Sequence, residues 1–115
     1  MKKIIISTFT QLDQSAPVVL TLRNTFGSDI YWTRFALGKY RGTIQGVGEF
    51  VEGRTLCFAT PATGDLSSPK TGIVQMCRTS DTEVELWTNV VDNGVAQPED
   101  YQNLLPLSIR IETYP

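Results

Sequence analysis

The sequence predicts an all-β, antiparallel fold of about eight short strands. Two observations carry this prediction: apolar and polar residues alternate with period two in several segments, and these segments are rich in β-branched and aromatic residues. Turn-forming residues separate the segments at short, regular intervals, which is typical of a β-sandwich or a β-barrel. No amphipathic helix longer than one or two turns is apparent. The best candidate is 98–104, which begins with a proline and two acidic residues.

The first half of the chain contains four predicted strands. Residues 4–9 are a β-branched run, and in 18–23 the apolar residues Val18, Leu20 and Leu22 occupy alternate positions, which predicts one buried face. The predicted strands 30–35 and 40–45 follow. They are joined through Gly38 and Lys39, which predict a hairpin turn.

The second half contains the remaining four predicted strands. Residues 55–60 and 72–79 are apolar segments, and the polar residues 79–82 predict a turn into a strand at 83–88. Regular alternation predicts the last strand at 107–113. Two connections, 61–71 and 89–106, exceed hairpin length. Long connections in compact domains are often functional, so we regard both as candidate contact surfaces.

Length and composition limit the function. The 115 residues predict one domain, 1–115, with a core that needs no disulfide or metal. Ten basic and twelve acidic side chains give a net charge of −2, which argues against a nucleic-acid-binding protein and against a basic membrane-surface protein. The low charged fraction of 19% fits either a domain that hides part of its surface against partners or an ordinary β protein poor in Lys and Glu.

The N-terminal residues predict that no signal peptide is present. The apolar run that follows Lys2 and Lys3 ends at Ser7, which is shorter than the ~7–15 residues of a signal-peptide core. No segment approaches the ~20 apolar residues of a membrane span. We therefore expect a protein that is made in a cytoplasm and stays there until it is released.

The residue types argue against catalysis. The chain has no histidine, which excludes Ser-His and Cys-His nucleophiles and removes the commonest zinc ligand. Cys57 and Cys77 lie in apolar runs, which favours small, buried, reduced side chains over a disulfide or a metal site. The carboxylates of Glu83 and Glu85 fit a solvated strand face better than a glycosidase pair. We expect no enzymatic activity and no cofactor.

Trp87 is the most informative single residue. In 83–88, Val84 and Leu86 share one strand face, while Trp87 shares the other face with Glu83 and Glu85. If the Val84 face is buried, Trp87 lies on the outer face. It would then be covered by a loop of the chain, contact another subunit, or act as a stacking platform for a sugar ring.

Two predicted strands are apolar on both faces. In 55–60 and 73–78, residues such as Cys57, Phe58, Val74 and Met76 occupy both sides, so each strand requires a second cover. Either the long loops of the chain or a neighbouring subunit could supply it, and we favour the subunit. Tyr101 is a further candidate contact residue in the long connection.

The aromatic residues of the predicted strand 30–35 have a different expected role. Tyr31, Trp32 and Phe35 are expected to be core and sheet-packing residues, which is the usual role of aromatic residues on strands.

Several segments resemble a group of small β-rich proteins encoded by tailed bacteriophages and prophages of Bacteroidetes-type hosts, including crAss-like phages. The resemblance is carried by Ser-Ala-Pro-Val at 15–18, Asn-Thr-Phe-Gly at 24–27, Ile-Tyr-Trp-Thr-Arg at 30–34, Gly-Lys-Tyr-Arg-Gly-Thr-Ile at 38–44 and the closing Ile-Arg-Ile-Glu-Thr-Tyr-Pro at 109–115. It covers both ends and most of the first half. Residues 46–102 carry no matching motif.

The resemblance implies a virion protein with a jelly-roll-like β-sandwich. The implied function is a non-enzymatic capsid auxiliary, decoration or head-fibre component that packs against copies of itself and against other virion proteins. Analogy with other phage assemblies suggests a trimer. The alternative is a tail-associated carbohydrate-binding module that attaches to the host surface, with Trp87 or Tyr101 stacking on a glycan.

Overall fold

The computed structural model describes residues 1–10, 17–46, 48–61, 71–92, 95–98 and 107–115. This part of the chain contains nine strands and no helix. The strands are β1 (Lys3–Thr10), β2 (Val18–Asn24), β3 (Ile30–Ala36), β4 (Lys39–Ile44), β5 (Thr55–Pro61), β6 (Thr71–Arg78), β7 (Glu83–Asp92), β8 (Val95–Pro98) and β9 (Leu107–Thr113). Every pairing between them is antiparallel.

The strands form two sheets that enclose one core cluster, as in a β-sandwich. Sheet A has the order β2-β1-β9-β5, and sheet B has the order β3-β4-β7-β6. The short β8 pairs with the end of β7 and extends sheet B. The predicted all-β, antiparallel sandwich of about eight strands is therefore confirmed, with β8 as an additional strand.

The connectivity keeps neighbouring strands together. The pairs β1–β2, β3–β4 and β6–β7 are each consecutive in sequence and adjacent in one sheet. The first and last strands, β1 and β9, also lie side by side. On one side of the sandwich the edge strands β5 and β6 come into contact. The edges on the other side are β2 and β3.

The structure extends the seventh predicted strand and adds β8. The prediction of a strand at 83–88 was too short, because Asn89–Asp92 continues β7 and pairs with β8. Part of the predicted connection 89–106 is therefore strand. The candidate helix at 98–104 begins at Pro98, the last residue of β8, and its other residues lie outside the described ranges.

The core is centred on Phe9 of sheet A. Its ring meets the ring of Trp32 edge-to-face at a centroid distance of 5.6 Å and that of Tyr40 at 4.9 Å. Trp32 and Tyr40 belong to sheet B, so these contacts join the two sheets. The other fully buried large side chains are Ile5, Ile44, Phe50, Val84, Leu86, Leu107, Ile109 and Ile111.

Asn24 holds the turn that leads into β3. Its Oδ1 accepts a hydrogen bond from the N–H of Phe26 at 2.9 Å, and its Nδ2 donates to the carbonyl of Ser28 at 2.8 Å. The turn leaves Phe26 buried, with its ring edge-to-face to that of Phe50 at 5.5 Å. The segment 24–27, one of the five that carry the sequence resemblance, therefore has a structural role in this turn.

The predicted burial of β2 was wrong. Val18, Leu20 and Leu22 are 58%, 61% and 61% exposed. The register explains the reversal: Val19 lies opposite the buried Phe9, so Val19 faces the core and its neighbours face solvent. The alternation in the sequence identified two faces but not which of them is buried.

The prediction for β3 was correct for one aromatic residue of three. Trp32 is buried, whereas Tyr31 and Phe35 are 55% and 42% exposed on the outer face of sheet B. Trp32 lies directly opposite Gly42 of β4. A Cβ at Gly42 would come within 2.9 Å of Cδ1 of Ile30 and 3.0 Å of the Trp32 ring. The indole ring therefore occupies space that only glycine leaves open.

We expect Gly42→Ala to destabilise the fold. Overpacking costs about 1–3 kcal/mol, which exceeds the ~0.4–1 kcal/mol that Gly→Ala gains through the unfolded chain. Urea unfolding followed by tryptophan fluorescence measures the difference. Thr43→Ala, on the opposite face of the same strand, is the control: it creates no clash, so it should cost less than Gly42→Ala and no more than the ~1 kcal/mol span of β propensity. A Gly42→Ala protein as stable as the wild type would contradict this account of the core.

Candidate functional site: the two outer faces of the sandwich

Trp87 lies on the outer face of sheet B, as the alternation in 83–88 predicted. Val84 and Leu86 are fully buried, and Trp87 is 41% exposed. The Nζ atom of Lys39, directly across on β4, lies 4.4 Å from the centre of the Trp87 ring. This cation–π contact covers part of the ring with the chain's own side chain.

Arg41 organises the neighbouring part of the same face. Its guanidinium carbon lies 4.5 Å from the centre of the Phe35 ring. Its Nε and Nη2 atoms lie 3.7 Å from Glu83 and 3.8 Å from Glu85. The two carboxylates are therefore partners of one cation, in agreement with the prediction of a solvated strand face.

An open hollow lies beside Trp87 on the β6 side. Its volume is about 340 Å³, and it is lined by Gln75, Met76, Cys77, Glu85 and Trp87. Gln75 lies directly opposite Trp87, and Cys77 lies directly opposite Glu85. An aromatic ring, an amide and a carboxylate thus share one side of the sheet, a combination that can stack against a ring and bind hydroxyl groups.

The other residues predicted for an interface have different positions. Cys57, Val74 and Met76 are partly buried and pack against the core cluster. Phe58 points to solvent and is 48% exposed. Tyr101 lies outside the described residues. Of these five residues, Phe58 is the one that the structure directs outward.

The inward side of β5 and β6 is covered by the sandwich itself. Cys57 lies opposite the buried Ile111 of β9, and Met76 lies opposite the buried Leu86 of β7. The sequence showed that both faces of these strands are apolar. It could not show that one face of each belongs to the core.

The outer face of sheet A exposes five large apolar side chains. Val18, Leu20 and Leu22 lie on β2 at one edge of the sheet, and Leu56 and Phe58 lie on β5 at the other edge. Their exposed fractions run from 47% to 61%. We name these five residues the sheet A apolar set. Of these five, Phe58 was predicted as an interface residue; Val18, Leu20 and Leu22 were not, because the burial of β2 was predicted the wrong way round.

A charged cluster occupies the middle of this face. Glu112 of β9 is only 4% exposed. It accepts hydrogen bonds from Nε of Arg110 at 2.7 Å, from the hydroxyl of Tyr114 at 3.0 Å and from Nζ of Lys2 at 3.3 Å. Arg110 and Tyr114 are each two residues away along the chain and so share the same face. The cluster brings the two ends of the chain together.

Hydrogen bonding decides the charge of Glu112. Burial, the largest single effect, disfavours the ionised carboxylate, but the hydrogen bonds from Arg110, Tyr114 and Lys2 outweigh it together. They hold the pKa of Glu112 below its usual value of 4.5. The sequence signal for this cluster was the alternation of Arg110 and Glu112 in β9, but nothing in it predicted that Lys2 would join them.

The two cysteines differ in their surroundings. Both are free thiols, as predicted. Burial, with a smaller contribution from the nearby Cys77, raises the pKa of the Cys57 thiol to about 11. Cys77, which was expected to be buried, is exposed. Its position on the outward-facing side of β6 accounts for the difference.

Comparison with protein-family models, with curated proteins and with solved structures finds no match for this chain. Among the described residues, no group of three or more His, Cys, Asp or Glu side chains could hold a metal ion. The same part of the chain contains no helix that is long and apolar enough to cross a membrane.

We expect Glu112→Gln to remove a pH-dependent contribution to stability. Because the folded-state pKa of Glu112 is lowered, its carboxylate stabilises the fold above about pH 4.5 and loses this effect as the pH falls through the folded-state pKa. The variant should have a lower urea midpoint than the wild type at pH 7, and the difference should shrink at pH 3. Glu52→Gln, in an exposed turn, controls for the loss of one carboxylate. An equal difference at both pH values would contradict the expectation.

Proposed function

We propose that this protein is a non-enzymatic structural subunit of a bacteriophage virion, acting as a capsid auxiliary, decoration or head-fibre component. It would work by packing against copies of itself and against other virion proteins. One observation carries the assembly part of this proposal: the sheet A apolar set places five large apolar side chains in water on one face. Three of the five, Val18, Leu20 and Leu22, lie together along β2, and contiguous exposed apolar patches mark interaction surfaces.

The contrast between the two outer faces supports sheet A as the contact surface. On sheet B, cationic side chains cover two of the exposed rings, with Lys39 over Trp87 and Arg41 over Phe35. These contacts give the apolar surface of the rings a partner within the chain. The charges in the middle of sheet A are bound to each other around Glu112, which leaves its apolar edges for a partner.

The placement in a virion rests on the resemblance of the five sequence segments to small phage proteins. Two of those segments, 24–27 and 38–44, are structural: they form the turn held by Asn24 and the strand whose Gly42 receives Trp32.

A carbohydrate-binding module is the second candidate, and the hollow beside Trp87 favours it. Its tryptophan, amide and carboxylate provide a stacking surface and hydrogen-bonding groups for a sugar. The Lys39 ammonium lies over the Trp87 ring, so a stacked sugar would have to displace it or approach from the β6 side.

The assembly function predicts an oligomer. Size-exclusion chromatography with light scattering should give a mass of at least two chains at micromolar concentration. Mass spectrometry of purified particles of the phage that encodes the chain should detect it and give its copy number. A chain that stays monomeric and is missing from the particles would contradict the proposal.

The carbohydrate alternative predicts binding to a glycan array. In that case Trp87→Ala should weaken binding about tenfold or more, because truncation of an anchor tryptophan at an interface costs about 2 kcal/mol or more. Tyr31→Ala, which removes another exposed ring from the same sheet face, should leave binding unchanged. A monomer that binds glycans through Trp87 would replace the assembly function.

A further inference from the structure

We propose that the free edge of β2 pairs with β2 of a second copy of this chain. The two strands would run antiparallel, and sheet A would continue across a two-fold axis. This inference rests on the proposed assembly function and names the surface that brings two copies together.

The exposure of β2 is the first argument. β2 is an edge of sheet A, and within the described ranges β1 is the one strand that pairs with it. Its three outward apolar side chains are about 60% exposed, and Thr21 and Arg23 are exposed as well. A strand with one unpaired backbone edge and apolar side chains in water is a template for the addition of another strand.

The other edges of the described sandwich are less suited to pairing. β5 and β6 contact each other at the same side of the molecule. β3 carries an irregular register between Arg34 and Ala36, as β2 does at Leu22, and each irregularity lies near the end of its strand. The outward side chains of β3 include the polar Thr33 and the ring of Phe35, over which Arg41 lies, whereas those of β2 are three aliphatic side chains. β8 has four residues and ends at Pro98, and short strands and proline oppose edge-to-edge pairing.

The sequence of β2 matches itself in one register. With the two-fold axis at Leu20, this residue lies opposite Leu20 of the second copy, and Val19 lies opposite Thr21 of the second copy, so the pairs at the axis fall within the regular residues 18–21. Val18 of each copy then lies next to the irregular position at Leu22 of the other copy, and the outward apolar side chains gather on one face. Arg23, the single charged residue of β2, lies at opposite ends of the two paired strands, so no like charges oppose each other. A shift by one residue would pair outward with inward side chains and is excluded.

A charge substitution tests the pairing. Leu20→Lys places two ammonium groups directly opposite each other across the axis, so we expect the dissociation constant of the dimer to rise at least tenfold in sedimentation experiments. Leu37→Lys is the matched control, because Leu37 is 53% exposed in the β3–β4 turn. It should change the dissociation constant less than threefold. Urea unfolding of each variant checks that it is folded.

Disulfide cross-linking tests the register. Directly opposed residues in an antiparallel pair have Cα atoms ~4.5–5.5 Å apart, within the ~4.4–6.8 Å range of disulfides. In a background of Cys57→Ala and Cys77→Ser, we expect Leu20→Cys to form a covalent dimer under mild oxidation. Thr21→Cys, which would face Val19 of the second copy, and Leu37→Cys should stay mostly monomeric.

The outcomes separate this inference from the proposed function. A trimer, a dimer that Leu20→Lys leaves intact, or equal cross-linking at all three positions overturns β2 pairing and leaves the assembly function in place. A chain that is monomeric at every concentration overturns both. If residues of the chain itself cover the β2 edge, Leu20→Cys does not cross-link, and the inference also fails.

Discussion

The contact of Phe9 with Trp32 and Tyr40 is the interaction on which the rest of the structure depends. Phe9 lies in a central strand of sheet A, and the two other rings come from sheet B. Edge-to-face contacts between three large rings join the sheets at the middle of the core. They also fix the register, because a strand shifted by one residue would turn its inward side chain to solvent. Gly42 makes this arrangement possible by leaving room for the indole ring.

The inward position of Phe9 also determines which side chains of sheet A lie on the surface. Once Phe9 faces inward, Val19 opposite it must also face inward, and Val18 and Leu20 must face outward. In the same way, burial of Val84 and Leu86 places Trp87 on the outer face of sheet B. The candidate contact surfaces are therefore formed by the side chains that alternate with the core residues along each strand and point away from the core.

Charged groups divide the two outer faces into different chemical regions. On sheet B, Lys39 and Arg41 lie over aromatic rings, and Arg41 also bridges two carboxylates. On sheet A, the charges gather around the almost fully covered Glu112, and the apolar side chains lie along the edges. Within the sheet A apolar set, the side chains of β2 are the most exposed.

The sequence by itself determined the strand content, the position of eight strands, the free thiols and the outward position of Trp87, because period-two alternation and turn residues are local properties of the chain. It did not determine which side of β2 is buried, the inward position of Cys57, Val74 and Met76, or the cluster that joins Lys2 to Glu112. These depend on strand pairing between distant residues. Only the tertiary structure decided these positions, because the alternation of side chains along a single strand does not identify which face will be buried in the core.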